Sequence, residues 1–316
     1  MITVSEEGKI GVHGWLPYDK TISNYFLFEK DPSITATKCK RKLTVPFAPG
    51  IKVEPKLFVV SHDAKLLITC GHWDNSLQVY NLGKSKKVNH IVRHIDIVTC
   101  LALDYCGSHV VTGSRDTTCM IWQIQQQSGF CTNVNNKPLQ TLYGHEGEVT
   151  AVYISTEQDM VASAARDGTV ILHSVRRGQY VRTLHPPCAM GYTLHIPLLA
   201  VDEMGRIILY CHEKFPIDPK ERFSLHLYSI NGKHLFTEKL DNGLGHMIIK
   251  GDHVITGDVT GQVKMMEIFG LRTVNVFPLH VPIRCLSVTN SNSHILAGIK
   301  DGKLIIIGVK NRTDGR

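Results

Sequence analysis

The feature that most constrains this chain is a strand–turn–strand unit that keeps returning. Residues 110–122 open with the apolar pair Val110-Val111, turn through Ser114-Arg115-Asp116 and resume as Cys119-Met120-Ile121-Trp122. Residues 161–173 repeat the pattern around Arg166-Asp167-Gly168, and residues 296–305 repeat it around Lys300-Asp301-Gly302. Residues 255–263 are a further copy with Thr260 where the others carry aspartate, and a degenerate copy surrounds Trp73-Asp74-Asn75. The turn positions 74, 116, 167, 260 and 301 lie 42, 51, 93 and 41 residues apart, and 93 is about two units. The missing turn is expected near residues 212–222, where residues 212–219 read as an enlarged loop between two strands. An opening copy at residues 2–12 brings the units to seven. Short apolar or alternating runs punctuated by Gly, Asp, Asn and Ser mark β-strands, and no stretch carries convincing helical periodicity. A period of roughly 40–45 residues with four strands per unit is the signature of a propeller. The expectation is therefore an all-β, seven-bladed β-propeller.

Within the units, polar residues stand at fixed places. Gly144-His145 leads into Val149-Thr150-Ala151-Val152, then Ser163, then Asp167. This resembles a WD repeat, with His173 in the place of the usual tryptophan. His94, Thr112, Asp116 and Trp122 resemble the full set in the preceding unit. The resemblance implies that each set forms a buried hydrogen-bonded network, tying the loop before the inner strand to the turn between the middle strands. A buried polar group left unpaired costs about 1–3 kcal/mol, so such a network fixes one geometry. His94, Thr112, Asp116, Trp122, His145, Ser163 and Asp167 are accordingly expected to be structural, and His145 with Asp167 is not a catalytic dyad. The one literal Trp-Asp dipeptide, Trp73-Asp74, lies in a turn rather than at a strand end.

A closer resemblance rests on residues 168–184 followed by Pro186-Pro187-Cys188, on residues 225–233 and on residues 294–305. These segments are similar to the C-terminal WD-repeat propeller of BEACH-domain proteins, the neurobeachin and neurobeachin-like group, over about residues 55–309. The expected domain plan is a propeller over residues 1–309, with an irregular insertion at 17–55, followed by a polar tail at 310–316. The first unit begins at Ile2 on a middle strand with no inner strand before it. The last ends after residues 304–309 without a fourth strand, while Tyr25-Phe26-Leu27-Phe28 reads as an outer strand. The resemblance implies that a BEACH domain and the missing strand precede Met1. It also implies a non-catalytic scaffold in vesicle trafficking and membrane-protein sorting, cytoplasmic and peripheral to endomembranes, with protein partners that include the upstream BEACH domain.

Composition narrows the alternatives. At 43% hydrophobic and 20% charged residues, the balance is that of a globular chain. No run approaches the roughly 20 apolar residues of a membrane-spanning helix, and the first residues do not form a secretory signal. The nine cysteines are scattered and form no C-x-x-C pair, which reads as reduced thiols in the core. The net charge of +7 gathers at Lys38, Lys40, Arg41 and Lys42, at Lys84, Lys86 and Lys87, and at Arg176-Arg177. No aromatic side chains alternate with these charges, so nucleic acid is not an expected partner. Recognition of phosphoinositide or other anionic lipid at endomembranes by these loops is the alternative reading.

Signatures of catalysis are missing. The 17 histidines form no helical pairs and join no cysteine cluster, so no metal site is expected. Residues 298–304 have too few residues between their glycines for a phosphate-binding loop, and Leu304 stands where Ser or Thr would reach magnesium. Catalytic residues, cofactor and metal are all expected to be absent. The residues just before the landmark aspartates are Trp73, Arg115, Arg166 and Lys300, one from each of four units. Trp and Arg dominate interaction hot spots, which makes this set the candidate partner-binding face for an acidic or carboxylate-bearing partner.

Overall fold

Strands appear wherever an apolar run is bounded by turn residues. The computed structural model describes residues 2–4, 9–15, 26–27, 34–36, 41–84, 86–215, 221–289, 292–300 and 302–308, and these carry seven antiparallel sheets. Two compact units divide them, residues 43–240 in one and residues 1–42 with 241–316 in the other.

The contiguous unit holds four sheets. Numbered in chain order through the molecule, they are the second to the fifth. The second comprises β6 (Phe58–Val60), β7 (Leu66–Thr69), β8 (Ser76–Asn81) and β9 (Lys86–Val92). The third comprises β10 (Val98–Leu103), β11 (His109–Ser114), β12 (Cys119–Gln127) and β13 (Phe130–Val134), with β14 (Gln140–Leu142) also pairing β12. The fourth comprises β15 (Val149–Ser155), β16 (Met160–Ala165), β17 (Val170–His173) and β18 (Tyr180–Leu184). The fifth comprises β19 (Thr193–Val201), β20 (Ile207–Lys214), β21 (Glu221–Tyr228) and β22 (His234–Leu240).

Burial follows position in the sheet. All four residues of β7 and all six of β16 are buried, whereas β22 has no buried residue. The continuous apolar runs of the middle strands have both faces covered, and the outer strands meet water. Cys70, Cys100, Cys119, Cys131 and Cys211 sit in this interior, but Cys106 and Cys188 are exposed, against the expectation for core thiols.

The second unit holds the first, sixth and seventh sheets. In the first, β1 (Ile2–Val4) pairs β2 (Lys9–Trp15), which on its other side pairs both β4 (Ile34–Ala36) and β5 (Arg41–Lys42). Among the described residues this gives three ranks of strand where the other sheets have four. The sixth comprises β23 (Leu244–Lys250), β24 (His253–Asp258), β25 (Gln262–Glu267) and β26 (Thr273–Pro278). The seventh comprises β27 (Ile283–Val288), β28 (His294–Ile299) and β29 (Leu304–Gly308), and its fourth strand is β3 (Phe26–Leu27). The last unit is thus completed from the other end of the chain, with Ile305 opposite Leu27 and Ile306 opposite Phe26. The segment expected as an irregular insertion supplies three short strands to two sheets.

Two further expectations change. The enlarged loop near residues 212–222 separates β20 from β21, but residues 216–220 lie outside the described ones. In the sixth sheet the acceptor is Asp258 rather than Thr260. Its Oδ1 receives the backbone N–H of Thr260 at 3.0 Å, that of Gln262 at 2.8 Å and the Thr260 hydroxyl at 2.8 Å. A carboxylate two residues earlier closes the same turn.

One irregularity recurs where inner strands begin. The register shifts between Val98 and Cys100, Val149 and Ala151, Leu244 and His246, and Ile283 and Cys285. Such bulges free one residue from the ladder. Thr99 uses its freed side chain to donate to Val149 O in the next sheet, and Thr150 donates to Ile196 O at 2.6 Å in the sheet after that. At Gly245 the neighbouring strand comes so close that a Cβ would collide with Ile283 O. The inner strands are stitched to one another at these points.

Candidate functional site

The polar landmarks of the third sheet meet in one buried chain of hydrogen bonds. Trp122 Nε1 donates to Thr112 Oγ1 at 3.0 Å, Thr112 Oγ1 lies 2.8 Å from His94 Nε2, and His94 Nδ1 lies 2.8 Å from Asp116 Oδ2. The carboxylate requires a donor at Nδ1, so in the neutral ring Nε2 accepts from the threonine hydroxyl. Burial alone would raise the Asp116 carboxyl; the bonds from His94 and Thr118 override it and hold the group well below the usual carboxylate range.

The fourth sheet carries a looser version. His145 Nε2 lies 2.8 Å from Ser163 Oγ, but its Nδ1 is 3.4 Å from Asp167. His173, at the tryptophan place, bonds Tyr143 O instead of Ser163. Each aspartate also receives the backbone N–H that follows its histidine, Ile95 N to Asp116 at 2.9 Å and Glu146 N to Asp167 at 3.1 Å. That bond turns the next side chain outward. Ile95 is 89% exposed, an isoleucine that no sequence pattern marks for solvent.

Trp73, Arg115, Arg166 and Lys300 occupy equivalent places. Their backbone N–H groups bond Pro46 O, Ile97 O, Glu148 O and Pro282 O, each in the loop ahead of its own sheet's inner strand. Trp73 is 60% exposed, and two residues on Asn75 Nδ2 donates to Ile95 O at 2.9 Å, tying the turn of Trp73 to the loop that carries Ile95. Arg115 and Arg166 do not form a free cationic arc. Glu148 stands between them, 3.3 Å from Arg115 Nε and 3.7 Å from Arg166 Nη1. Lys300 is exposed and belongs to the other compact unit.

Behind Arg166 lies a cleft of about 320 Å³ that sequence reasoning missed, lined by Lys56, Glu148, Arg166, His195, His212 and Lys214 among others. The bulge at Thr150 leaves its carbonyl free, and Lys56 Nζ donates to it at 3.2 Å from the start of the second sheet. Lys214 Nζ and His212 Nε2 both lie 3.1 Å from Glu221. Burial pushes the His195 imidazole below its ordinary value, and Arg166, His212 and Lys214 push it further. Burial likewise lowers His212. No local motif signals this cleft, since its residues come from strand ends and loops more than 150 positions apart. Among the described residues, no group of three or more His, Cys, Asp or Glu side chains is placed to hold a metal ion, and no helix is long and apolar enough to cross a membrane.

Comparison with known proteins agrees with this architecture. BEACH domain-containing protein B of Arabidopsis thaliana is 30% identical over 290 residues, covering 86% of this chain and 11% of that protein. BEACH domain-containing protein lvsE of Dictyostelium discoideum is 26% identical over 325 aligned residues, covering 97% of this chain and 14% of that protein. The chain thus spans a small part of the length of these relatives. A chain in the crystal structure of the mitotic checkpoint complex superposes with a TM-score of 0.65 at 14% identity, covering 98% of this chain and 87% of the other, a likeness of fold alone. The family described as the neurobeachin beta propeller domain matches residues 1–316. With the match running the full length of a chain built as repeated four-stranded sheets, the protein belongs to the neurobeachin β-propeller family.

Proposed function

We propose that this chain is a non-catalytic protein-binding platform within a BEACH-type protein, serving vesicle trafficking and membrane-protein sorting from the cytoplasmic side of endomembranes. The observation that carries it is that Trp73 and Ile95 are both largely exposed on two loops that the Asn75 bond to Ile95 O ties together. Ile95 is held out by the Asp116 bond to its own backbone, and Trp73 by the bond to Pro46. Large apolar side chains fixed in water, with Arg115 on the same rim, have the composition of an interaction hot spot. The relatives named for their BEACH domains support a place in such a protein, with that domain as one partner.

The test is proximity labelling in cells with the double variant Trp73→Ala, Ile95→Ser. Both side chains are exposed, so the variant folds normally and loses a discrete set of labelled proteins. An unchanged labelling profile overturns the reading. The second reading, contact with anionic lipid, is favoured by the exposed Lys84 and Lys86. It would show as vesicle sedimentation that fades with rising salt, because charge-driven binding is screened.

A further inference from the structure

We infer that the cleft behind Arg166 receives one carboxylate side chain from an acidic segment of a partner protein, held by Arg166 and Lys214. This rests on the platform reading and adds a second, chemically specific contact to it. The side chain of Arg166 is 65% exposed at the mouth, and its guanidinium, among the described residues, has no hydrogen-bond acceptor; Glu148 at 3.7 Å is beyond that distance. Glu148 is instead turned toward Arg115 at 3.3 Å. A planar fork of five donors is thereby left facing a concave site, and a carboxylate is the group that matches that fork bidentately.

The rest of the lining selects the charge. Lys56 is engaged by Thr150 O and by Glu54 at 3.2 Å, so it shapes the wall more than it binds. Lys214 gives one contact to Glu221 and retains further N–H donors on its ammonium. With His195 and His212 held toward their neutral forms, the charged lining (Lys56, Arg166, Lys214, Glu148) and the groups ion-paired to it (Arg115, Glu54, Glu221) together make four cations and three carboxylates. One positive charge is in excess, which a monoanionic carboxylate neutralises. A phosphate dianion would overshoot it against Glu148.

The experiment is NMR of arginine Nε–Hε signals in the 316-residue chain. The Arg166 signal is assigned by its loss in Arg166→Gln. Hexaglutamate is the probe, with hexaglutamine, a phosphoserine-containing peptide and phosphatidylserine vesicles as parallel arms. Hexaglutamate is expected to shift the Arg166 signal saturably, and hexaglutamine not to. Arg166→Gln and Lys214→Gln should each weaken binding about tenfold, the scale of one charge-assisted hydrogen bond, with the thermal midpoint unchanged. Absence of a shift, unweakened hexaglutamate binding in either variant, tighter binding of phosphoserine, or binding to vesicles alone would each overturn the inference. Proximity labelling separates the two readings. If Arg166→Gln, Lys214→Gln keeps the partners that Trp73→Ala, Ile95→Ser loses, the cleft inference fails and the platform stands. If neither variant loses any, the platform itself fails.

Discussion

At Thr112 Oγ1 two ring systems meet: Trp122 Nε1 donates to it and His94 Nε2 lies 2.8 Å away. All three side chains are buried, so replacing the hydroxyl by a methyl of the same shape strands two polar groups at once. Thr112→Val should therefore destabilise the fold by about 2–4 kcal/mol, an unpaired buried group costing about 1–3 kcal/mol. Ser163→Ala removes the equivalent hydroxyl in the fourth sheet, but His145 Nε2 keeps Ser163 O at 3.1 Å. Its loss should be nearer 1 kcal/mol, the net worth of one hydrogen bond. Urea unfolding of the two variants ranks them, and a larger loss for Ser163→Ala would refute the account. The landmark residues were readable because their types and spacing recur. What they do for Ile95 was not, since a backbone N–H bonding a distant carboxylate leaves no mark on the side chain it positions.

Among the elements, the pairing of β21 with β22 contains a pH-sensitive contact. His226 is buried and stands 3.4 Å from His234, Nδ1 to Nε2. Burial, and then the neighbouring His234, push His226 down to about 4 from an ordinary 6.5. A depressed folded-state value means that the fold favours the neutral ring. The stability it contributes is present above about pH 6.5 and is lost as pH falls toward 4. Thermal midpoints should decline through that window, and His226→Gln should flatten the decline. An equal slope in the variant would remove His226 as the cause. Strand identity was legible for these elements because apolar runs and turn residues alternate. The role of Asp258 in the sixth sheet was not legible, because Asp258 and Thr260 are both turn formers and only the hydrogen bonds decide which one accepts.

At the scale of the whole molecule, the seventh sheet depends on residues nearly 280 positions away. Among the described residues, β3 alone covers the outer edge of β29, through Leu27 opposite Ile305 and Phe26 opposite Ile306. An uncovered edge is a template for pairing with another chain. Leu27→Pro should disturb this short strand and produce concentration-dependent self-association in light scattering; a variant that stays monomeric would show that the edge is protected otherwise. The sequence marks residues 25–28 as strand-like but holds no record of the partner, because a two-residue pairing leaves no periodicity. The cleft leaves no sequence signal for a related reason: it exists only where Lys56, ahead of the second sheet, meets the fourth and fifth sheets at the Thr150 bulge. That bulge has a reciprocal consequence. Thr150 holds the fifth sheet through its hydroxyl and Lys56 through its carbonyl, so one residue of the fourth sheet joins the fifth sheet and the turn ahead of the second at the wall of the cleft. An occupant that favours the closed seam must be favoured by it in equal measure, since linkage between two equilibria has no direction. If filling the cleft stiffens the seam, then whatever loosens Thr150 weakens the occupant by the same factor.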